Sequence, residues 1–99
     1  MTFIQTIEFT TTRIGEIQEL MDDWLAKSEG RRTSHRATLV ADQDRPNTYL
    51  QIVEFPSYAE AMQNNALPET TEFAEKAAKL VDGGPVYRNL DVQRVDDVG

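Results

Sequence analysis

Apolar and polar residues alternate in four segments of this chain, and alternation with a period of two is typical of β-strands with one buried face. The alternating segments are residues 3–10, 35–42, 49–55 and 86–95. The second and third are separated by Asp42 to Asn47, a stretch rich in turn-forming residues. The pattern therefore predicts four strands, the middle two of which form a hairpin.

Three other segments have the 3.6-residue apolar period of helices. They are residues 13–28, 58–65 and 70–81. Gly30 is placed to cap the first of these helices, and Ser57 with Glu60 has the spacing of a capping box at the start of the second. Pro68 separates the second helix from the third, and the run Gly83-Gly84-Pro85 is expected to stop the third.

The resulting order, βαββααβ, predicts a ferredoxin-like α+β fold because right-handed crossovers place the helices on one face of a four-stranded antiparallel sheet. The length suits one domain over residues 1–99. The side facing the helices is expected to carry Phe3, Ile7, Phe9, Leu39, Val53, Phe55, Leu90 and Val92. The open side is expected to carry Ile4, Val40, Leu50, Ile52, Tyr87 and Val95. Because these apolar residues would otherwise be exposed to water, we expect a second copy of the chain to cover this side.

The composition limits the partners and the kinds of site that this chain can have. Acidic residues outnumber basic ones 17 to 10, and the net charge of -7 disfavours nucleic acid as a partner. Without cysteine, and with one histidine, the chain lacks the residues for disulfides and for the usual zinc or non-haem iron sites. The N-terminus has no basic leader, and no stretch approaches the roughly 18 apolar residues of a membrane span. We therefore expect a cytoplasmic protein with no metal or cofactor.

Element order, length and face pattern together resemble the dimeric α+β barrel superfamily, and within it the antibiotic-biosynthesis-monooxygenase (ABM) family. The resemblance covers essentially the whole chain and is carried by MTFIQTIEF, TYLQIVEFPSYAEAM, the break at Pro68 and YRNLDVQRV. It implies a homodimer with a ligand cavity in each subunit and oxygenation of an aromatic or polyketide-like substrate without metal or flavin. The alternative is a non-catalytic binding or assembly module whose interior is filled by side chains.

In that family the ligand lies between the sheet and the helices, so polar residues on the helix-facing side are the candidate contacts. The resemblance suggests His35 as the catalytic base, Gln5 and Gln51 as hydrogen-bond anchors, and Arg88 as the group that stabilises a phenolate or enolate. Each has a structural alternative. In these alternatives His35 faces solvent or has a structural role, the two glutamines pair with each other, and Arg88 pairs with a carboxylate.

Four further residues complete the candidate binding site. Trp24 and Phe73 would form walls of the cavity, Asn64 would help to close it, and Tyr49 would lie beside Gln51 on the third strand. Trp24 also fits ordinary core packing on a helical apolar stripe, and Tyr49 fits a ring that packs its body and wets its hydroxyl.

The haem-degrading branch of the same family provides a contrast. Its members have an iron-ligating histidine on the third helix and a pocket tryptophan on the second. An ungapped comparison puts Phe73 and Asn64 at these positions, and Gln5 in place of an asparagine on the first strand. Phenylalanine cannot ligate iron, so haem degradation is disfavoured.

Overall fold

A computed structural model describes residues 2–99 and confirms the predicted α+β architecture and element order. Its elements are β1 (Phe3–Thr10), α1 (Ile14–Ser28), β2 (Arg36–Ala41), β3 (Thr48–Phe55), α2 (Tyr58–Asn65), α3 (Pro68–Ala78) and β4 (Asp82–Asp91). The four strands form one antiparallel sheet in the order β2-β3-β1-β4. The hairpin strands β2 and β3 are adjacent, and β1 lies between β3 and β4.

Two of the predicted caps are present. Gly30 adopts a left-handed φ of 80° directly after α1, where a side chain would be strained. The turn that it forms lets Arg31 and Arg32 both donate backbone hydrogen bonds to the carbonyl of Ser28. At the start of α2, the Ser57 hydroxyl oxygen accepts from the Glu60 N–H at 3.2 Å.

The end of α3 and the start of β4 differ from the prediction. The helix begins at Pro68 and ends at Ala78, so Gly83-Gly84-Pro85 does not stop it but belongs to the first part of β4. Pro68 occupies the first turn, where its missing N–H has no helical partner to lose. Gly83 has φ of 70°, and the β1–β4 ladder shifts register between Glu8 and Thr10, beside these glycines.

The predicted faces of β4 are also wrong. Tyr87 pairs with Ile7 and therefore lies on the helix-facing side, whereas Leu90 pairs with Ile4 and lies on the open side. Val92 and Val95 follow the end of the strand at Asp91. β4 has apolar residues in both phases of its alternation, so only the pairing with β1 determines which side each residue occupies.

The tightest core lies under α2, where Phe3, Phe55 and Ala61 form a buried cluster with Val53 and Met62 packed against it. Helix α2 contacts β1 and β3, while α1 and α3 pack mainly against each other. The helix layer is therefore anchored to the sheet at one end and leaves space beneath α1 and α3. None of the helices within residues 2–99 has the length and apolar character needed to cross a membrane.

Candidate ligand-binding cavity

A cavity of about 820 Å³ lies between the helix-facing side of the sheet and helices α1 and α3. Ligand sites in proteins typically measure about 300–1,000 Å³. Its apolar lining includes Ile7, Phe9, Ile17, Met21, Leu25, Leu39, Val53, Phe55, Ala77 and Val81. Leu25 and Tyr87, which both line it, are about half exposed, so the cavity reaches the protein surface. The aromatic side chains of the interior do not fill this space.

Five of the predicted site residues line the cavity. They are Gln5, Trp24, Gln51, Asn64 and Phe73. The first and third come from the central strands β1 and β3, and the others from α1, α2 and α3. The fold thus brings together, in one concave surface, residues that are up to about 70 positions apart in the chain.

Trp24 is held in one orientation by contacts on two sides. Its indole Nε1 donates a hydrogen bond of 2.9 Å to Thr70 Oγ1 on α3. The guanidinium carbon of Arg32 lies 5.9 Å from the ring centroid, within the range of a cation–π contact. Arg32 is itself fixed because it donates to the Leu25 carbonyl at 2.8 Å. Trp24 is therefore a rigid wall of the cavity.

The two glutamines do not pair with each other. Gln5 Nε2 donates to Asn89 Oδ1 on β4 at 3.3 Å. The register places Gln5 opposite Val53 and Gln51 opposite Ile7, so the two amides are diagonal neighbours. The carbonyl oxygen Oε1 of Gln51 is buried and has no hydrogen-bond partner among the described residues. An unsatisfied buried acceptor costs about 1–3 kcal/mol, which a bound donor would recover.

Asn64, at 5% exposure, joins the cavity to the loop after α1. Its Oδ1 accepts a hydrogen bond of 3.2 Å from the backbone N–H of Thr33. The hydroxyl of Thr33 in turn donates to the carbonyl of Glu60 on α2. The amide of Asn64 therefore holds the α1–β2 loop against α2 as well as lining the cavity.

Three predicted site residues lie outside the cavity lining. His35 is exposed just before β2, and its backbone N–H donates to the Glu54 carbonyl at 2.8 Å. Tyr49 stacks on Phe9 with 5.7 Å between ring centroids and lines a separate surface depression of about 230 Å³.

Arg88 was expected on the helix-facing side of β4, and this placement is wrong. It pairs with Thr6 across the ladder and lies on the open side of the sheet. There its Nη1 is 4.0 Å from Glu8 Oε1. Arg88 therefore lies beside a carboxylate, which is the alternative given for it above. Arg88 and Leu90 were placed on the wrong side of the sheet for the same reason. The alternation of β4 was assigned to the opposite sides from those that its pairing with β1 sets.

Charged residues in the lining are all acidic. Within residues 2–99 they are Asp22 on α1 and Glu75 on α3, both exposed, and no lysine, arginine or histidine joins them. Asp22 was not among the residues predicted to line a cavity. The spacing of Gln18, Asp22 and Leu25, at i, i+4 and i+7, would have indicated one shared helix face. In the same described part of the chain, no three acidic or histidine side chains meet to form a metal site.

Solved structures similar to this chain share its fold. One is SnoaB, a cofactor-independent oxygenase from Streptomyces nogalater, with a TM-score of 0.79, 16% identity and 95% of each chain covered. Another is a conserved protein from Methanosarcina mazei Go1, with a TM-score of 0.82, 7% identity and 94% of each chain covered. A third is an antibiotic biosynthesis monooxygenase with a TM-score of 0.74 and 17% identity, covering 95% of this chain and 100% of that one.

No family model and no curated protein sequence matches this chain. The resemblance to the ABM fold, first read from the pattern of strands and helices, is confirmed by the solved structures. At these identities the likeness is one of fold.

Proposed function

We propose that this chain is a homodimeric protein whose subunits each bind a flat, mostly apolar organic molecule of aromatic or polyketide-like type. The observation that carries the proposal is the cavity of about 820 Å³ between the sheet and helices α1 and α3. A concave, largely apolar space of this size that reaches the surface has the usual form of a small-molecule site.

The lining supports a flat aromatic ligand. Trp24 and Phe73 supply aromatic walls, and the amides of Gln5, Gln51 and Asn64 supply a few polar contacts on an otherwise apolar surface. A concave apolar site with a small number of polar groups is the usual composition of small-molecule sites. The fixed indole of Trp24 gives such a ligand a preformed surface on which to stack.

The open side of the sheet supports the homodimer. Val40, Val86 and Leu90 on this side are 39%, 43% and 45% exposed. Ile4, Leu50 and Ile52 lie between them on the central strands. Large apolar side chains exposed on one side of a sheet mark an interaction surface, and a two-fold partner covers them with the same side of a second copy.

Cofactor-independent oxygenation is the reaction we propose for this cavity, by analogy with SnoaB. In this reaction a base removes a proton from a ring methylene, and the resulting carbanion reacts with O₂. Overall, the methylene and O₂ give a ketone and water. The cavity would take up the uncharged substrate and hold it in one orientation while the carbanion formed from it meets oxygen. Binding without oxygenation is the second candidate, favoured by the position of His35 outside the cavity lining.

Titration calorimetry with a hydroxylated anthrone, followed by oxygen consumption and product analysis, tests both candidates. A matched pair of variants locates the binding. Ala77→Phe fills the cavity from α3, whereas Ala59→Phe adds the same ring at an exposed position of α2 outside the lining. We expect only Ala77→Phe to abolish binding. Binding that survives in the Ala77→Phe variant would contradict the proposed site.

The reaction is tested with the same ligand. Quinone formation faster than the protein-free rate, lost in the Ala77→Phe variant, is expected for an oxygenase. If His35→Asn retains that rate, His35 is not the base. Binding with no oxygen consumption would leave the non-catalytic candidate.

A further inference from the structure

We infer that the cavity selects uncharged aromatic molecules that carry a hydrogen-bond donor and excludes their anionic counterparts. The inference rests on the proposed function and specifies the chemical class of its ligand. Two independent observations carry it. One is the unpartnered acceptor of Gln51, and the other is the sign of the charges in the lining.

The acceptor sets the polarity of the hydrogen bond. Gln51 lines the cavity, and its Oε1 is enclosed with no donor within reach among the described residues. The last torsion angle of a glutamine side chain is broad, and rotation about it is the movement that would present this oxygen to a ligand. A ligand hydroxyl or N–H would satisfy it, whereas an ether, a ketone or a carboxylate at the same place would leave it unpaired.

The charges of the lining set the charge of the ligand. Asp22 and Glu75 are acidic, and no basic side chain within residues 2–99 shares the lining with them. The cations carried by α1 and α3 nearby are engaged elsewhere, since Lys27 and Lys76 both bind Glu72 at 2.9 and 2.7 Å. The guanidinium of Arg32, outside the lining, lies over Trp24 and donates to the Leu25 carbonyl. An anion entering the cavity therefore meets like charge and finds no basic side chain in the lining.

Arg88 would have reversed this selectivity had it faced the helices. On the open side of the sheet, beside Glu8, it offers no charge to a ligand in the cavity. The same holds for the exposed His35, which is not part of the lining. The cavity is thus suited to the protonated form of a phenol rather than to a phenolate or a carboxylate.

Three naphthalene derivatives of nearly equal shape test the inference. Calorimetry at low salt would compare 2-naphthol, which is neutral and a donor, with 2-methoxynaphthalene, which has no donor, and 2-naphthoate, which is an anion. The indole N–H resonance of Trp24, the single tryptophan, reports by NMR whether each occupies the cavity. We expect 2-naphthol to bind at least about fivefold more tightly than the ether. We expect 2-naphthol to bind at least about threefold more tightly than 2-naphthoate, and we expect this difference to shrink in high salt.

Variants assign each preference to its residue. Gln51→Met keeps the length of the side chain but removes the amide, and it should bind 2-naphthol and its ether equally. Asp22→Asn combined with Glu75→Gln should tighten 2-naphthoate. The matched double variant Glu19→Gln with Asp44→Asn removes the same charge from exposed positions outside the lining and should change nothing.

The outcomes separate the inference from the proposed function. If 2-naphthoate or the ether binds as tightly as 2-naphthol and moves the Trp24 resonance, the cavity binds aromatics and the inferred selectivity is wrong. If the Gln51→Met variant keeps the preference for 2-naphthol, the assigned acceptor is wrong. If none of the three moves the Trp24 resonance, the proposed binding function fails and the inference with it.

Discussion

Trp24 and Thr70 connect α1 to α3 through a hydrogen bond of 2.9 Å from the indole Nε1 to the threonine Oγ1. The two residues are 46 positions apart in the chain, and both line the cavity. Because α1 and α3 pack mainly against each other, this bond contributes to the position of the whole helix pair above the sheet. The wall of the cavity and the contact between the helices are therefore the same structural feature.

Replacing Thr70 by valine removes the acceptor and keeps the shape. The indole N–H of Trp24 then loses its partner in a half-buried setting, and we expect the free energy of unfolding to fall by about 1 kcal/mol. Thr70→Ser retains a hydroxyl and should lose less. Denaturant unfolding monitored by tryptophan fluorescence measures both variants. Equal stability of Thr70→Val and the wild-type protein would show that the bond contributes nothing.

The ion pair between Arg31 and Glu69 leads to a second prediction. Glu69 is buried at the start of α3, its Oε2 faces Arg31, and its Oε1 has no partner among the described residues. Arg31→Met leaves this carboxylate in the interior without its cation. We expect a loss of about 1–3 kcal/mol, below the value for a wholly buried pair because the Arg31 side chain is 56% exposed.

A double variant distinguishes the loss of the ion pair from the burial of an uncompensated Glu69 charge. Glu69→Leu in the Arg31→Met background removes the uncompensated carboxylate, so it should restore most of the lost stability. Thermal unfolding of the two single variants and the double variant completes the cycle. If the double variant is no more stable than Arg31→Met, the burial of the Glu69 charge is not what destabilises the single variant.

Much of the fold could be predicted because local signals agree with the final packing. Ser57 and Gly30 mark helix ends through hydrogen bonds and a backbone conformation within a few residues. The alternation of β1 placed Gln5 on the helix-facing side, and its register with β3 agrees. These features depend mainly on residues close together in the sequence, so they can be predicted from a single sequence.

The errors come from features that depend on distant partners. The faces of Arg88 and Leu90 are set by the β1–β4 register, and the glycines at the start of β4 break the simple alternation. Asp22 was not predicted to line the cavity because it lies outside the apolar stripe of its own helix, yet the space between sheet and helices extends to that side. The cavity itself is a property of volume, which no periodicity encodes.

Stability is expected to depend on pH through Glu72. Its pKa is lowered from 4.5 to about 2 by hydrogen bonds from Lys76 first and Lys27 second, with their charges adding to the effect. The ionised form is thus favoured in the folded state, so the contribution is full above about pH 4.5 and is lost as the pH falls towards 2. The group is exposed, so salt will weaken it.

Comparison with Glu72→Gln measures this contribution. The difference in melting temperature between the wild-type protein and the variant should be present at neutral pH, shrink between about pH 4.5 and 2, and be smaller in high salt. A difference that stays constant over this range of pH would mean that the carboxylate charge is not its source.

The open side of the sheet provides the last prediction. Ile52 lies on this side near the middle of β3, paired with Thr6 and Thr38 on the neighbouring strands. Ile52→Asp places a charge in the face that we propose to be covered by a second copy, where desolvation of an unpaired carboxylate opposes association. Sedimentation should therefore show a dimer for the wild-type protein and a monomer for this variant. Val98→Asp, at a residue 94% exposed beyond the sheet, should remain dimeric. A wild-type protein that sediments as a monomer would contradict the proposed dimer, and an Ile52→Asp variant that stays dimeric would place its interface elsewhere.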